Sequence, residues 1–196
     1  MLWLILAILV WGVVHSIMAS LGFKNLLQRT LGSGFMRFYR LFYNVFSTLS
    51  FVPILYLMVV LPNRSLYQVP APWSYVMLAG QGLSVLMLFV TLLQTDTLAF
   101  VGLRQLFTDD ENGKLVTGGL YRFVRHPLYT FGLLILWLTP SMSINSLVVY
   151  VSLTMYILVG AYFEEAKLLR IFGQEYADYK SATPMLIPGL KFSGNK

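Results

Sequence analysis

Cysteine is absent from this chain of 196 residues, and charged residues make up only 11% of it. Without cysteine the chain has no disulfide, no thiolate metal ligand and no cysteine nucleophile. A soluble domain usually carries about 25% charged residues, so this composition excludes an ordinary soluble domain. Only two histidines are present, and we assign no metal-binding residues.

Apolar residues dominate what remains: 57% of the chain is hydrophobic, 15% is aromatic, and the mean hydropathy is +0.70. A run of about 20 apolar residues spans the hydrocarbon core as a helix. We therefore predict an all-α polytopic membrane bundle of about five segments: residues 2–21, 39–61, 73–95, 128–138 and 144–163. The fourth run rises only about 17 Å as a helix. Either that helix continues through Pro140, or the last two segments form a shallow helical hairpin.

Lysine and arginine cluster in three places: the first predicted loop (residues 22–38), the third predicted loop (residues 96–125) and the tail. Cytoplasmic loops carry such an excess, so we predict an N-terminus outside and a cytoplasmic C-terminus. The same bias accounts for the net charge of +6. No basic run interleaves with aromatics, so nucleic acid is not an expected partner. The first run lacks a basic leader region and exceeds signal-peptide length, so we interpret it as a retained helix. One domain, 1–196, is expected, with three helices in 1–95 and a cofactor-binding half in 96–196.

The most distinctive stretch, residues 118–129, reads GGLYRFVRHPLY. Proline suits the first helical position, so Pro127 predicts a helix start with His126 as its N-cap. Such a helix end binds anions, and Gly118 and Gly119 allow a tight turn before it. The alternative is a basic patch that binds membrane lipid headgroups. That patch would need neither the glycine turn nor the proline.

Glu164 and Glu165 are adjacent carboxylates at the end of the last apolar run. The helix dipole does not favour carboxylates near a C-terminal end. A cationic ligand group, Arg122 or Arg125 would stabilise them, and the alternative is a solvated helix end. Their side chains point about 100° apart on a helix, so one is expected to face the site and the other solvent or an arginine.

Two further polar candidates are His15, in the first apolar run, and Asp96, at the start of the third predicted loop. His15 lies late in the first apolar run, where polar residues are functional candidates by default. Its alternative role is an interhelical hydrogen bond. Asp96 precedes Arg104 and is either an interfacial residue that closes the third helix or part of a site. In the tail, Gly173 ends a helix, and residues 183–188 are expected to fold back as an extended apolar strip, which either lies on the membrane surface or forms a lid.

These motifs, in this order, resemble the isoprenylcysteine carboxyl methyltransferase superfamily of integral-membrane enzymes: Tyr121-x-x-x-Arg125-His126-Pro127-x-Tyr129, Glu164-Glu165, Phe172-Gly173-x-x-Tyr176-x-x-Tyr179 and Pro184-x-x-Ile187-Pro188. The resemblance covers roughly the last 80 residues. Residues His15-Ser16, Tyr39-Arg40 and Asp96 ahead of Arg104 are more similar to the bacterial branch, which includes methanethiol S-methyltransferases and NnrU-type proteins. A bacterial inner membrane is the implied location.

The resemblance implies S-adenosylmethionine as cofactor, held on the cytoplasmic side by Tyr121, Arg125, His126, Pro127, Tyr129, Glu164, Glu165, Tyr176 and Leu186. The methionine carboxylate would lie at His126 and Arg125, the ammonium at one glutamate, and the adenine among Tyr121, Tyr176 and Leu186. Positioning would provide most of the catalysis. The implied catalytic candidates are His15, Arg104 and Glu165.

The methyl acceptor implied by the resemblance is a small or lipophilic molecule, with a thiol favoured. Family members commonly carry an arginine between the tail prolines, whereas this tail reads Pro184-Met185-Leu186-Ile187-Pro188. A carboxylate acceptor would gain from that cation, so prenylcysteine carboxyl methylation is the less favoured alternative. Another alternative is a haem-binding NnrU-like isomerase with His15 and His126 as axial ligands. A third is a non-catalytic protein of the same fold. The sequence does not predict an oligomeric state.

Overall fold

The computed structural model describes residues 1–107 and 114–190, and these are mostly helical. The helices are α1 (Leu2–Ala19), α2 (Leu21–Val60), α3 (Trp73–Gln94), α4 (Thr97–Val101), α5 (Pro127–Trp137), α6 (Ile144–Phe172) and α7 (Gln174–Ala182). Two short strands, β1 (Ser65–Gln68) and β2 (Ser141–Ser143), pair with each other, and two 3-10 turns cover Arg104–Leu106 and Gly119–Arg122. Charged residues of the predicted third loop and tail lie outside the described residues: Asp109, Asp110, Glu111, Lys191 and Lys196.

Four of the described helices, α1, α2, α3 and α6, are long and apolar enough to cross a membrane. The polytopic helical fold predicted from the sequence is therefore confirmed. The fourth predicted segment corresponds to α5, which has 11 residues and ends at Trp137. The helix does not continue through Pro140, so that one of the two expectations for this segment is wrong.

The chain after α1 is helical where a loop was expected. Ser20 alone separates α1 from α2, and its hydroxyl oxygen caps α2 by accepting from the Phe23 N–H at 3.2 Å. Helix α2 then extends over 40 residues, interrupted at Gly32, whose φ of 80° and ψ of 174° are not helical. The loop expectation was wrong because the leucine, lysine, glutamine and arginine of residues 21–31 favour helix strongly.

The chain forms two compact units that interleave along the sequence. Unit 1 comprises Met1–Leu66, Asp96–Asn112 and Ser143–Ser152, and unit 2 comprises Tyr67–Thr95, Gly113–Met142 and Leu153–Lys196. Neither unit coincides with residues 1–95 or 96–196. Helix α6 contributes its first part to unit 1 and its later part to unit 2.

In unit 1, α1 and α4 both pack on α2. The Trp11 indole N–H donates to the Ser47 carbonyl at 3.3 Å. The Asn44 amide donates to the Phe100 and Val101 carbonyls at 3.0 and 2.8 Å, which attaches the end of α4 to α2. Gly102 follows with a φ of 95°. A Cβ there would lie 2.5 Å from the Leu41 nitrogen, so this close approach of two backbones requires glycine.

In unit 2, α3 packs along α5. The Gln81 amide donates to the Ile135 carbonyl at 2.7 Å, so a polar side chain of one apolar helix contacts the backbone of the other. At the end of α5, the Trp137 indole N–H donates to the Thr154 hydroxyl of α6 at 3.0 Å. These contacts fix α5 between two longer helices, and the start of α5 carries the candidate site.

Candidate functional site

The start of α5 has the geometry predicted from the sequence. His126 is the N-cap residue and Pro127 is the first helical residue. The tail pairs with this start: the Arg125 N–H donates to the Pro184 carbonyl at 2.9 Å, and the His126 N–H donates to the Met185 carbonyl at 3.1 Å. The Thr130 hydroxyl adds a bond to the Leu186 carbonyl at 2.8 Å. The tail strip therefore folds back onto the helix start.

The glycine turn before α5 is attached to α3. Gly119 has a φ of 59° and begins the 3-10 turn. The Leu120 N–H donates to Gln94 Oε1 at 2.8 Å. A Cβ on Gly119 would overlap the Gln94 side chain as it is placed here, and the positive φ also favours glycine. Gln94 thus positions the stretch that leads into the site.

Glu165 is the buried member of the glutamate pair and lies among cations. The Arg125 guanidinium contacts its Oε1 with Nε at 2.7 Å and Nη2 at 2.5 Å, and Lys180 Nζ lies 2.8 Å from its Oε2. Arg125 also donates to the carbonyls of Lys180 and Thr183. A buried charge is tolerated only when it is paired and hydrogen-bonded, and this carboxylate meets both conditions.

Glu164 has different surroundings, because its side chain is 44% exposed whereas that of Glu165 is 7% exposed. The Tyr129 hydroxyl donates to Glu164 Oε2 at 2.7 Å, and His126 Nδ1 lies 3.7 Å from the same oxygen. Within residues 1–107 and 114–190, no lysine or arginine forms an ion pair with Glu164. This carboxylate can therefore accept a cationic group from a ligand.

Two buried polar atoms beside the glutamates lack a hydrogen-bond partner among the described residues: His126 Nε2 and the Tyr176 hydroxyl. His126 Nε2 lies 3.4 Å from Glu165 Oε1, but the contact does not have hydrogen-bond geometry. An unsatisfied buried polar atom costs about 1–3 kcal/mol, so such atoms are uncommon in a folded chain. The presence of two such atoms near the glutamate pair fits a site that takes a polar ligand.

Three tyrosines around the site stay neutral over the physiological range. Burial, and then the nearby Glu164 carboxylate, raises the pKa of Tyr121 to about 12. Burial likewise raises the pKa of Tyr179 to about 12 and raises the pKa of Tyr176 further, aided there by Glu165. The Tyr179 hydroxyl donates to the Tyr121 carbonyl at 2.6 Å, which holds α7 on the glycine turn. Tyr176 is itself buried, so its ring packs within the protein.

The predicted cofactor-binding residues all belong to unit 2: Tyr121, Arg125, His126, Pro127, Tyr129, Glu164, Glu165, Tyr176 and Leu186. Of the predicted catalytic residues, Glu165 lies in unit 2, whereas His15 and Arg104 lie in unit 1. The ring nitrogens of His15 are 2.7 and 3.1 Å from the Tyr43 hydroxyl, and the ring stacks on Trp11. Arg104 forms an ion pair with Asp96. The chemical roles of all these residues stay predictions.

Sequence reasoning missed Lys180 and the positioning role of Gln94. Lys180 follows Tyr176 by four residues on α7, so both lie on one face of that helix. This spacing could have identified Lys180 from the sequence, because Tyr176 was already a candidate. Gln94 carried no comparable signal, since its partner Leu120 is 26 residues away.

With the geometry established, comparison with known proteins decides the family. A family model described as phospholipid methyltransferase matches residues 75–175. The chain belongs to the phospholipid methyltransferase family. The matched range contains the glycine turn, the start of α5 and both glutamates, so the family match and the candidate site coincide. The predicted resemblance to membrane methyltransferases is thereby confirmed.

Several relatives are named methanethiol S-methyltransferase. Methanethiol S-methyltransferase 2 of Bradyrhizobium diazoefficiens is 31% identical over 185 residues, which is 92% of this chain and 70% of that protein. The Crocosphaera subtropica enzyme is 41% identical over 100 residues, 48% of this chain and 38% of that enzyme. The Pseudomonas deceptionensis enzyme is 41% identical over 80 residues, and the match covers 41% of this chain but only 30% of that enzyme. No solved structure matches the chain significantly.

Proposed function

We propose that this chain is a membrane methyltransferase that transfers a methyl group from S-adenosylmethionine to a small thiol. The observation that carries the proposal is Glu164, a partly exposed carboxylate with no lysine or arginine ion-pair partner among the described residues. Its Oε2 lies 3.7 Å from Nδ1 of His126, a buried residue whose Nε2 has no hydrogen-bond partner among the described residues, and both residues lie within the range that matches the family. The thiol is supported by relatives that are named for methylating methanethiol.

Glu164 is the proposed partner of the cofactor's ammonium group. A carboxylate that accepts from an ammonium forms a charge-assisted hydrogen bond, roughly twice as strong as a neutral one. The Tyr129 hydroxyl, 2.7 Å from Oε2, orients the carboxylate and leaves Oε1 for the ligand. Glu165 is the weaker candidate because Arg125 and Lys180 already neutralise it.

For the cofactor's carboxylate, Lys180 replaces Arg125 as our proposed partner. The Arg125 guanidinium is buried and already donates to Glu165 and to two carbonyls, so a ligand would have to displace those bonds. Lys180 is partly exposed, and an ammonium has three donors, of which Glu165 engages one. We therefore assign Arg125 and Glu165 to positioning the tail against α5, and Lys180 to binding.

When bound, S-adenosylmethionine supplies a methyl group activated by its positively charged sulfur. An acceptor thiol that receives this methyl group would lose its proton. A group on this chain must take the proton. His15 is the imidazole that we propose for this role, with the Tyr43 hydroxyl 2.7 Å from its Nε2 to set its orientation. Arg104 stays a candidate for contact with the acceptor.

The proposed location is a bacterial inner membrane, with the N-terminus outside. Four described helices are long and apolar enough to cross, and the relatives quoted above come from bacteria. Lysine and arginine precede α5 and follow α6, which favours a cytoplasmic site.

Isothermal titration of the detergent-purified protein with S-adenosylmethionine tests the cofactor. We expect Glu164→Gln to weaken binding at least tenfold, because a charge-assisted hydrogen bond contributes about 1.5–3 kcal/mol. Glu175→Gln, which changes an exposed glutamate on α7, is the matched control and should bind like wild type. Wild-type protein that gives no binding heat, or a Glu164→Gln variant of unchanged affinity, would contradict the proposal.

The acceptor needs a separate assay. Purified enzyme with S-adenosylmethionine and methanethiol should yield dimethyl sulfide, measured by gas chromatography, and His15→Ala should lower kcat by about 10²-fold or more. Cofactor binding without any thiol methylation would overturn the acceptor while leaving the cofactor site intact. A Soret band in the purified protein would instead favour the haem-binding alternative.

A further inference from the structure

The His126 ring lies between the two carboxylates of the glutamate pair. Its side chain is 6% exposed, with Nδ1 3.7 Å from Glu164 Oε2 and Nε2 3.4 Å from Glu165 Oε1. The ring stacks on that of Tyr129, with the centroids 5.2 Å apart and an angle of 14° between the planes. Each ring nitrogen therefore faces a different carboxylate, and the stack keeps the ring in that orientation.

The contacts that this ring can make depend on its charge. A neutral imidazole has one N–H and one acceptor nitrogen, whereas an imidazolium donates from both nitrogens. Histidine changes between the two forms near neutral pH. The 3.7 Å between Nδ1 and Glu164 Oε2 is longer than a hydrogen bond, so a small movement of the Glu164 side chain would complete that contact. Only the protonated ring can donate to Glu164 and Glu165 together.

A proton on His126 matters more to Glu164 than to Glu165. Arg125 and Lys180 already neutralise Glu165. The hydroxyl of Tyr129 gives Glu164 a hydrogen bond but no positive charge, and no lysine or arginine in residues 1–107 and 114–190 forms an ion pair with Glu164. The protonated His126 ring would therefore supply the positive charge that Glu164 lacks among the described residues.

Groups on several elements face the ring or the carboxylates beside it. The two carboxylates attract a protonated ring, and the two cations repel it. These groups are Glu164 and Glu165 on α6, Lys180 and Tyr176 on α7, Arg125 and Tyr129 at the start of α5, and Tyr121 in the glycine turn. The tail strip, residues 183–188, binds here through its backbone and carries no titratable side chain. The attraction of Glu164 is the part that a cationic ligand on that carboxylate would cancel.

We propose that a proton on His126 competes with the cofactor for Glu164, so that protonation of His126 weakens the binding of S-adenosylmethionine and cofactor binding releases that proton. The inference rests on the proposed function, in which Glu164 accepts from the ammonium group of the cofactor. Both cations use the same carboxylate, and either one neutralises it. A bound cofactor therefore favours the neutral ring, and acid favours the site without cofactor.

Calorimetry at two pH values tests the competition. Histidine gains its proton between about pH 7 and about pH 5.5, while an α-amino group stays protonated. We expect the full-length protein in detergent to bind S-adenosylmethionine at least about fivefold more weakly at the lower pH, the usual range for two coupled sites. Titrations in two buffers of different ionisation enthalpy should show that binding releases protons. His126→Gln, which keeps a neutral polar side chain, should bind equally well at both pH values.

The outcomes separate this inference from the proposed function. Equal affinity at the two pH values in the wild-type protein would overturn the competition and leave the proposed function intact. Tighter binding in acid would also overturn it, because the protonated ring would then bind the carboxylate of the cofactor. A His126→Gln variant with the wild-type pH dependence would assign that dependence to another group. No binding heat at any pH would overturn the proposed function, and the competition with it.

Nuclear magnetic resonance of the ring provides a test that does not require His126→Gln to fold. The chain has two histidines, so in the His15→Gln variant all imidazole signals of histidine-labelled protein come from His126. Coupling between two ligands is reciprocal, so saturating cofactor must move the midpoint of the titration to lower pH by the logarithm of the same factor, about 0.7 unit for a fivefold effect. A midpoint that the cofactor does not move would overturn the proposal.

The same signals test the pairing with Glu164 in the absence of cofactor. Adding Glu164→Gln should lower the midpoint, because the carboxylate that attracts the protonated ring is gone. Adding Glu175→Gln, which removes an exposed charge on α7, is the matched control and should leave the midpoint unchanged. Equal midpoints in the two variants would show that Glu164 does not hold the proton on His126, which would overturn the proposal.

Discussion

Arg125–Glu165 in unit 2 and Arg104–Asp96 in unit 1 are both arginine–carboxylate pairs, but their surroundings differ. The side chains of the first pair are 9% and 7% exposed, and those of the second pair are 45% and 40% exposed. The buried pair has further partners in Lys180 and the Thr183 carbonyl. Water reaches both side chains of the exposed pair. Burial, not residue type, decides how many partners a charge needs.

The difference in burial separates charged residues that hold the structure together from charged residues that are exposed to solvent. Arg125 and Glu165 hold the tail to α5. Each is costly to change, because removing one residue leaves the charge of the other buried and unpaired. The exposed ion pair between Arg104 and Asp96 contributes much less, about 0–1 kcal/mol.

The largest effect is expected at Glu165. Glu165→Gln removes the charge that Arg125 and Lys180 share, and we expect a loss of about 3–5 kcal/mol in the free energy of unfolding. Chemical denaturation in detergent, followed by tryptophan fluorescence, measures it. The double variant Arg125→Met/Glu165→Leu should recover much of the loss, because no buried charge is left unpaired. A single variant as stable as Glu175→Gln would contradict the structural role of this pair.

The next largest effects on stability are expected at two glycines, Gly102 in unit 1 and Gly119 in unit 2. Gly102→Ala puts a Cβ 2.5 Å from the backbone nitrogen of Leu41 at a φ of 95°, and backbone cannot move aside easily. Gly119→Ala meets the Gln94 side chain, which can rotate away. We expect each variant to lose at least about 1–3 kcal/mol in the free energy of unfolding, which is the cost of a strained backbone conformation. The loss should be larger for Gly102→Ala. The shift in Tm checks the order.

The control for the glycine comparison is Gly22→Ala, where a Cβ would meet nothing within 4 Å. In the helix it should be neutral or slightly stabilising. A larger loss at Gly119 than at Gly102 would mean that the glycine turn is more rigid than its contact with Gln94 indicates.

A third effect concerns the tyrosines of unit 2 in alkali. Because the folded pKa of Tyr121 and of Tyr179 is raised to about 12, the stability they contribute is fully present below the unfolded value near 10. It is lost as the pH rises through the folded value. Ultraviolet titration of phenolate should show a late-ionising fraction that Tyr121→Phe and Tyr179→Phe reduce. If neither variant reduces that fraction, the assigned burial is wrong.

The smallest effect is expected at the exposed pair. Asp96→Asn removes the charge that faces Arg104 but keeps an N-cap for α4, where the aspartate now accepts from the Ala99 N–H at 2.9 Å. The free energy of unfolding should change by less than about 1 kcal/mol. Asp96→Ala also loses the cap and should cost about 1 kcal/mol more. A loss at Asp96→Asn comparable to that at Glu165→Gln would remove the distinction between the two pairs.

Features that depend on neighbours in sequence were predictable. Pro127 begins α5 with His126 as N-cap, and Gly173 ends α6 with a φ of 54°, both as expected. Helix starts and stops follow from the backbone preferences of one or two residues. The folding back of residues 183–188 was also expected, from their prolines and apolar side chains, although the bonds they make to α5 were not.

Predictions that depended on distant contacts did less well. Nothing local distinguishes Glu164 from its neighbour, and only contacts with residues about 15 and 40 positions away along the chain make Glu165 the buried one. The expected loop at residues 22–38 is helical on both sides of Gly32. It lies between two apolar runs, but its leucine, lysine, glutamine and arginine residues favour helix.

By itself, the sequence determined the class of protein, the apolar helices, the helix start at Pro127 and the set of residues that could hold a charged ligand. These follow from hydrophobicity and backbone preference, which act residue by residue. Only the tertiary structure decided which charges neutralise one another and which stay accessible. Ion pairing depends on distances of a few ångström between residues far apart in the chain, and composition and spacing do not contain those distances.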